Sequence, residues 1–148
     1  MSATKARPLR AALAGEALVA LMVAAGSLVR DLDVACQQHG ITHDQYNVLR
    51  ILRGVYPHGH PRGEISARLI SRAPDVTRML DRLVQRGYVR REWDSTNRRL
   101  SIATISDKGL ALLAEVDQLI VREHARYTDD LTDDDLRTLR RLCLRLAP

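Results

Sequence analysis

Residues 74–109 read PDVTRMLDRLVQRGYVRREWDSTNRRLSIATISDKG, and the hydrophobic period changes inside this stretch. Over residues 74–86 the apolar side chains recur three or four positions apart, which predicts a helix that buries one face. Residues 88–93 and 99–105 are strand-like, and residues 94–97 between them are typical of a turn. The stretch therefore predicts a helix followed directly by a β-hairpin.

Two more short helices and a long one are predicted before this stretch. Apolar residues recur at helical spacing over residues 9–36, which indicates a helix of several turns. Thr42 is expected to cap a second helix, because Gln45 stands three residues later at the capping-box position. Residues 55–63 hold two Pro and two Gly and predict a loop, and a short helix is expected to follow over roughly residues 63–70.

Two helices are predicted after the hairpin. Ser106 and Thr132 are expected to be their N-caps. The apolar side of the first is predicted to comprise Leu110, Leu113, Val116, Leu119, Ile120 and Val121. Aromatic residues make up only 3% of the chain, so the core must be built from Leu, Val, Ile and Ala, which favours helices. The predicted fold is mainly α with a small β-hairpin wing: a winged helix-turn-helix with long flanking helices.

The positive charge of the chain is concentrated in one segment. The net charge is +5, and residues 60–99 hold ten Arg against five acidic residues, which accounts for all of it. An Arg-rich segment in an otherwise neutral chain predicts a surface for a polyanion. A solvated basic face without a partner is the alternative. In a winged helix-turn-helix the third helix enters the DNA major groove and the wing reaches the neighbouring minor groove or the backbone.

Three motifs follow one another between Ile65 and Gly109: VTRMLDRL at 76–83, GYVRR at 87–91 and ISDKG at 105–109. Together with the order of the helices, they resemble the MarR (multiple antibiotic resistance regulator) family. The resemblance implies a homodimeric transcriptional regulator that binds a pseudo-palindromic operator of double-stranded DNA.

The resemblance also implies three parts in one compact folding unit. Residues 1–39 would form an N-terminal dimerisation helix, residues 40–105 the DNA-binding region, and residues 106–148 the C-terminal dimerisation helices.

Matching positions imply roles for residues of the third helix. Asp75, Thr77 and Arg78 would lie near base edges. The carboxylate of Asp75 cannot donate to phosphate, so it would accept from a base amino group or hold a neighbouring Arg. Arg82 and its neighbour Arg86 would contact the DNA backbone or pair with acidic residues of the same chain, Asp81 and Glu92.

The resemblance places Arg98 at the wing tip and has Asp94 brace the wing by pairing with an Arg, for which Arg98 is the expected partner. Asn97 stands where wings of the family commonly carry Asp, although an Asn can still fix the turn. The full set of predicted DNA-contacting residues is Arg72, Asp75, Thr77, Arg78, Arg82, Arg98 and Arg99.

A dimer is also predicted from the apolar stripes of the terminal helices. Two such stripes, separated by a winged region, cannot both be buried within one small subunit, whereas a second copy would cover them. The predicted dimerisation residues are Leu9, Leu13, Leu136, Leu139, Leu142 and Leu146.

The sequence also contains candidate residues for a metal ion, a redox reaction and a small effector. Cys36, His39 and His43 have a spacing that zinc could use, but no fourth ligand is evident, so no metal is expected. Cys36 has no basic neighbour that would lower its pKa, which argues against a redox role. No cofactor is expected. Some relatives release DNA when a small aromatic acid binds, and His39, Tyr46 and Arg50 are candidate pocket residues for such an effector, whose identity the sequence does not give.

The start of the chain superficially resembles a signal peptide, because basic residues precede an uncharged run over residues 17–29. Glu16 directly precedes the run, and the 13 residues of the run fall short of the roughly 20 that span a bilayer. Cys36 and Cys143 lie far apart without a CxxC motif, as is typical of a reducing compartment. A cytoplasmic protein without membrane contact is therefore predicted.

The function predicted from the sequence is a dimeric, sequence-specific DNA-binding transcriptional regulator, a repressor released by a small molecule or another signal. The alternative is a helical protein-interaction module on the same scaffold that binds no operator. An enzyme is not expected, because the eight Gly form no phosphate-binding motif and no G-x-S-x-G is present.

Overall fold

The computed structural model describes residues 3–70, 75–97 and 100–146. The described ranges contain six helices and three strands. In chain order they are α1 (Ala3–Gln37), α2 (His43–Arg53), β1 (His60–Pro61), α3 (Arg62–Arg68), α4 (Val76–Gln85), β2 (Val89–Trp93), β3 (Ser101–Ile105), α5 (Asp107–Thr128) and α6 (Asp133–Leu146). This order confirms the mainly α fold with a β-hairpin wing.

The predicted helix starts carry the side-chain caps that satisfy their first N–H groups. Thr42 and Gln45 form the predicted capping box: the Thr42 hydroxyl accepts the Gln45 N–H at 3.1 Å, and the Gln45 side chain accepts the Thr42 N–H at 3.0 Å. The Ser106 hydroxyl accepts the N–H of Gly109 at 3.1 Å. Between α1 and α2 the chain turns at Gly40, whose φ of 71° suits a residue without a Cβ.

The sheet differs from the predicted hairpin because it has a third strand. Its strand order is β1-β3-β2, with His60 opposite Ala103 and Trp93 opposite Ser101. The prediction of a plain loop over residues 55–63 was therefore wrong, since β1 and the first residues of α3 lie within it. A strand of two residues is too short for an alternating pattern to appear in the sequence.

The core lies where α2, α3 and α4 meet the sheet and the long helix α5. Its largest fully buried side chains include Leu49, Leu52, Ile65, Leu80 and Leu83. Val76 joins them from the first turn of α4, so the apolar face predicted for this helix is confirmed.

The prediction of which α5 residues are buried was partly wrong. Val121 is 65% exposed, whereas Leu112, which the prediction left out, is buried. Leu113, Val116 and Ile120 are buried as predicted. A helix of 22 residues extends beyond the subunit core, so its sequence stripe alone does not show where burial stops.

The first half of α1 and the last helix leave their apolar residues uncovered. Leu9 is 73% exposed and Leu13 is 64% exposed, and none of the described residues of α6 is fully buried. Side chains of α1 and α6 enclose an apolar groove of about 390 Å³ that includes Leu18, Leu142 and Leu146.

Helix α1 is much longer than the 13-residue uncharged run, so the prediction that this segment is too short to span a membrane was wrong. The segment Leu9–Gln37 spans 29 residues and is long and apolar enough, by length and composition alone, to cross a membrane. A helix whose apolar residues are buried against a second copy of the protein can be equally long and apolar. Length and composition therefore do not distinguish a membrane-spanning helix from a helix in a protein interface.

Candidate DNA-binding surface

Helix α4 turns one face to the core and the other to solvent. Thr77, Arg78 and Arg82 are exposed, opposite Val76 and Leu80, which are buried. The side chain of Arg78 is 73% exposed. A helix fixed by its apolar face and carrying Arg on the other has the arrangement needed to enter a major groove.

Asp75 is the N-cap of α4 and not a freely projecting side chain. One carboxylate oxygen accepts the backbone N–H of Arg78 at 2.9 Å, and the other lies 3.8 Å from Nε of the same residue. The helix thus begins at Val76, two residues after the predicted start at Pro74, which lies outside the described residues. Of the two roles expected for Asp75, holding a neighbouring Arg matches this geometry.

The turn of the wing is organised by Asp94. One of its oxygens accepts the Thr96 N–H at 2.8 Å, the Thr96 hydroxyl at 2.5 Å and the Asn97 N–H at 2.8 Å. The hydrogen bond from the Thr96 hydroxyl is the largest cause that holds the pKa of Asp94 below its usual value, followed by the two backbone hydrogen bonds. Asp94 therefore fixes the turn through hydrogen bonds to Thr96 and Asn97.

Three predicted DNA contacts, Arg72, Arg98 and Arg99, lie outside the described residues. The predicted pairing of Asp94 with Arg98 lies outside them as well, so it stays a prediction.

An ion pair joins the wing to α4. Arg91 on β2 contacts the carboxylate of Asp81 at 2.6 Å, so neither Arg82 nor Arg86 takes the place predicted beside Asp81. Strand alternation gives the reason, because Arg91 lies on the same face of β2 as buried Val89 and points towards the helix.

Arg86 contacts a backbone carbonyl and an aromatic ring, and among the described contacts it pairs with neither Asp81 nor Glu92. Its guanidinium donates to the backbone carbonyl of Gly40 and lies 5.1 Å from the centre of the Tyr88 ring. It therefore links the turn after α1 to the end of α4, and its side chain is engaged within the subunit.

A cleft between α3, α4 and the wing was not predicted from the sequence. It has a volume of about 350 Å³ and includes Arg62, Thr77, Leu80 and Trp93. Trp93, the single tryptophan of the chain, is 69% exposed there. The available sequence signal was a large aromatic residue next to a predicted turn in an Arg-rich strand.

A larger cavity of about 610 Å³ lies between α1, the start of α2 and α4. Its lining includes Arg30, His43, Arg78 and Arg82. Burial, the largest cause, lowers the pKa of His43.

The three predicted pocket residues are not among those that line this cavity. His39 contacts Glu115 at 3.3 Å, and the buried Tyr46 donates its hydroxyl hydrogen bond to Asp117 at 2.8 Å. Arg50 lies over the ring of Tyr46. The Tyr46–Asp117 hydrogen bond joins α2 to α5, His39 joins the turn before α2 to α5, and the Arg50–Tyr46 contact lies within α2.

Cys36 is fully buried, and its pKa is raised to about 12, first by burial and second by the nearby charge of Asp33. A thiol with a raised pKa is protonated at neutral pH and is therefore a poor nucleophile. Within residues 3–70, 75–97 and 100–146, no group of three or more His, Cys, Asp or Glu side chains is arranged to hold a metal ion.

The sequence matches the model of the MarR family over residues 41–101. It is 34% identical over 74 residues to the multiple antibiotic resistance protein MarR of Escherichia coli (strain K12). This match covers 49% of the chain and 51% of the E. coli protein, so the chain matches about half the length of that relative.

Two solved structures match over most of their length. The MarR transcription factor from Planctomyces limnophilus is 34% identical with a TM-score of 0.71, covering 90% of this chain and 96% of that one. The transcriptional repressor CouR, bound to a 23-mer DNA duplex, is 30% identical with a TM-score of 0.77, covering 87% of this chain and 90% of that one.

Proposed function

This chain belongs to the MarR family, and on that premise we propose that it is a dimeric, sequence-specific regulator of transcription that binds double-stranded DNA and acts as a repressor. One observation carries the proposal. Helix α4 is anchored by Val76, Leu80 and Leu83, exposes Thr77, Arg78 and Arg82, and is tied to the wing by the Asp81–Arg91 ion pair. The helix and the wing therefore lie side by side on one surface that can meet DNA.

The groove between α1 and α6 supports the dimer in this proposal. A pseudo-palindromic operator requires two copies of α4 related by a two-fold axis. The exposed leucines of the two terminal helices form a continuous apolar surface that water would otherwise contact, and a second copy of the chain would bury it.

The cavity beside α4 supports release by a signal. Arg78 and Arg82 line it, and the same side chains are proposed DNA contacts. An anionic small molecule that draws these guanidinium groups into the cavity would compete with DNA for them. The lining also includes Asp33, Asp44 and Asp75, so the effector is expected to combine an anionic group for the Arg side chains with a hydrogen-bond donor for the carboxylates.

The test is a gel-shift titration of the full chain against the DNA upstream of its own gene and against random duplex of equal length. Specific binding is expected to exceed nonspecific binding by a factor on the order of 10³ or more at physiological salt. Equal binding to both would contradict the proposal and favour a protein-interaction module instead.

The variant Arg78→Ala is expected to discriminate less between operator and random duplex. A good contact to a base edge favours the correct base over a wrong one by roughly 1–3 kcal/mol. Arg137→Ala is the matched control, since Arg137 is exposed on α6 and pairs with Asp133 of the same helix. If Arg78→Ala prefers the operator as strongly as the wild type does, Arg78 does not contact base edges.

A further inference from the structure

The cleft between α4 and the wing combines a cation with an exposed aromatic ring. Arg62 donates to the hydroxyl of Thr77 at 3.3 Å, and it has no carboxylate partner within the described residues. Trp93 lies on the opposite side of the cleft, at the end of β2, with most of its indole surface in contact with solvent. The floor is apolar and includes Leu80 and Ala103.

The position of this cleft on a DNA-bound subunit follows from the two elements that form its walls. If α4 occupies the major groove and the wing meets the adjacent minor groove, the feature between them is one sugar-phosphate strand, which separates the two grooves. The cleft between the two elements must therefore face that strand.

The side chains of the cleft match the chemistry of a sugar-phosphate strand. The guanidinium of Arg62 keeps N–H donors beyond the one used on Thr77, and a phosphate accepts such donors. The flat apolar face of Trp93 matches a deoxyribose ring, since the bases of an intact duplex are stacked inside and offer no face to it. Burial of the indole against the sugar would remove apolar surface from water.

Arg91 cannot take the role of Arg62, although it lines the same cleft. Its guanidinium is held at 2.6 Å from the Asp81 carboxylate, which neutralises it within the subunit. Among the described cations of the cleft, this leaves Arg62 to meet a phosphate.

We propose that Arg62 and Trp93 form a backbone clamp that binds one phosphate and its neighbouring deoxyribose on the DNA strand between the two grooves. The clamp rests on the proposed function, and it adds a contact that raises affinity for every sequence. It carries no base discrimination, because the sugar-phosphate backbone is the same at each position.

The first experiment uses the intrinsic fluorescence of Trp93, which is the only tryptophan in the chain. Quenching by acrylamide is measured on the full protein alone and with saturating operator duplex. We expect strong quenching in the free protein, and protection that appears with the same midpoint as the gel shift. Protection already present without DNA would mean that a second copy covers Trp93, and it would overturn the clamp.

The second experiment compares variants in gel shifts against operator and random duplex. Trp93→Ala is expected to weaken binding roughly 5- to 30-fold, by the burial lost from one large side chain, and equally for both duplexes. Trp93→Phe is expected to recover most of this loss. Arg62→Ala is expected to weaken binding and to reduce the slope of log K against log salt by about one.

Arg90→Ala is the matched control for Arg62→Ala. Arg90 is an exposed Arg of the same basic segment, but alternation along β2 puts it on the face opposite Arg91 and Trp93. If Arg90→Ala and Arg62→Ala weaken binding equally, the effect of Arg62 is general charge and the clamp is wrong.

The two proposals fail in different ways. If the wild-type protein shows no preference for its operator, the proposed function fails. If it prefers the operator while Trp93 stays accessible to acrylamide and Trp93→Ala binds as wild type does, the clamp alone is wrong.

Discussion

At the scale of single residues, burial decides which of the candidate reactive groups can react. Cys36 lies near the end of α1, belongs to the buried core and has no exposed surface. Its pKa, raised from 9.0 to about 12, lowers the thiolate fraction at neutral pH by about a thousandfold.

We therefore expect Cys36 in the native protein to resist iodoacetamide at neutral pH. Peptide mass spectrometry would locate the alkylated positions, and protein unfolded in urea is the control in which Cys36 should react fully. Rapid alkylation of Cys36 in the folded protein would contradict its burial.

Asp94 is the residue on which the wing turn depends. Its folded pKa lies below the ordinary 3.8, so its stabilising effect is present above that pH and is lost as the pH falls through the folded value. In a titration by NMR from about pH 6 downward, the amide signals of Thr96 and Asn97 should shift with a midpoint below 3.8. The same signals in Asp94→Asn should not titrate, and a wild-type midpoint at or above 3.8 would refute the turn geometry.

At the scale of elements, the close approach of α5 to β2 depends on a glycine. A Cβ added to Gly109 would overlap the carbonyl oxygen of Tyr88 and lie 2.8 Å from Cγ1 of Ile105. The glycine of the ISDKG motif is therefore explained by packing between a helix start and a strand start.

Gly109→Ala is expected to lower the free energy of unfolding by about 1–3 kcal/mol, as overpacking of a filled site does. Gly63→Ala is the matched control, because an added Cβ there meets no atom within 4 Å. Urea unfolding at equal protein concentration measures both, and equal stabilities of the two variants would contradict the predicted contact.

The elements of the DNA-binding region are also linked by charge. The Asp81–Arg91 pair joins α4 to the wing, and Arg53 and Tyr46 of α2 both bind Asp117 of α5. The first contact holds the wing beside α4, and the other two hold α2 against α5.

At the scale of the whole molecule, the uncovered face of α1 and α6 determines the expected assembly. Leu142→Lys puts a charge into the groove that also contains Leu18 and Leu21. We expect this variant to be monomeric by light scattering and to lose affinity for the operator by about 100-fold or more, because two linked reading helices bind with avidity.

Tyr56→Lys is the control for this charge, since Tyr56 is exposed and belongs to neither terminal helix. It should remain dimeric with unchanged affinity. A dimeric Leu142→Lys variant would locate the dimer interface elsewhere.

The sequence by itself determined the elements whose causes are local. Periodicity marked the helices, Thr42 and Ser106 marked two of their starts, and the hairpin followed from alternation and the turn at residues 94–97. These signals act between residues a few positions apart, so they can be read without a fold.

Only the tertiary structure decided which side chains from distant segments meet. The pairing of β1 with β3, the Asp81–Arg91 contact and the cleft shared by Arg62 and Trp93 each join parts of the chain that the fold brings together. The partner of a charged or aromatic side chain is chosen by packing and burial, and one-dimensional spacing does not encode that choice. Packing also explains why the Arg86 side chain donates to the carbonyl of Gly40 while Arg91 pairs with Asp81.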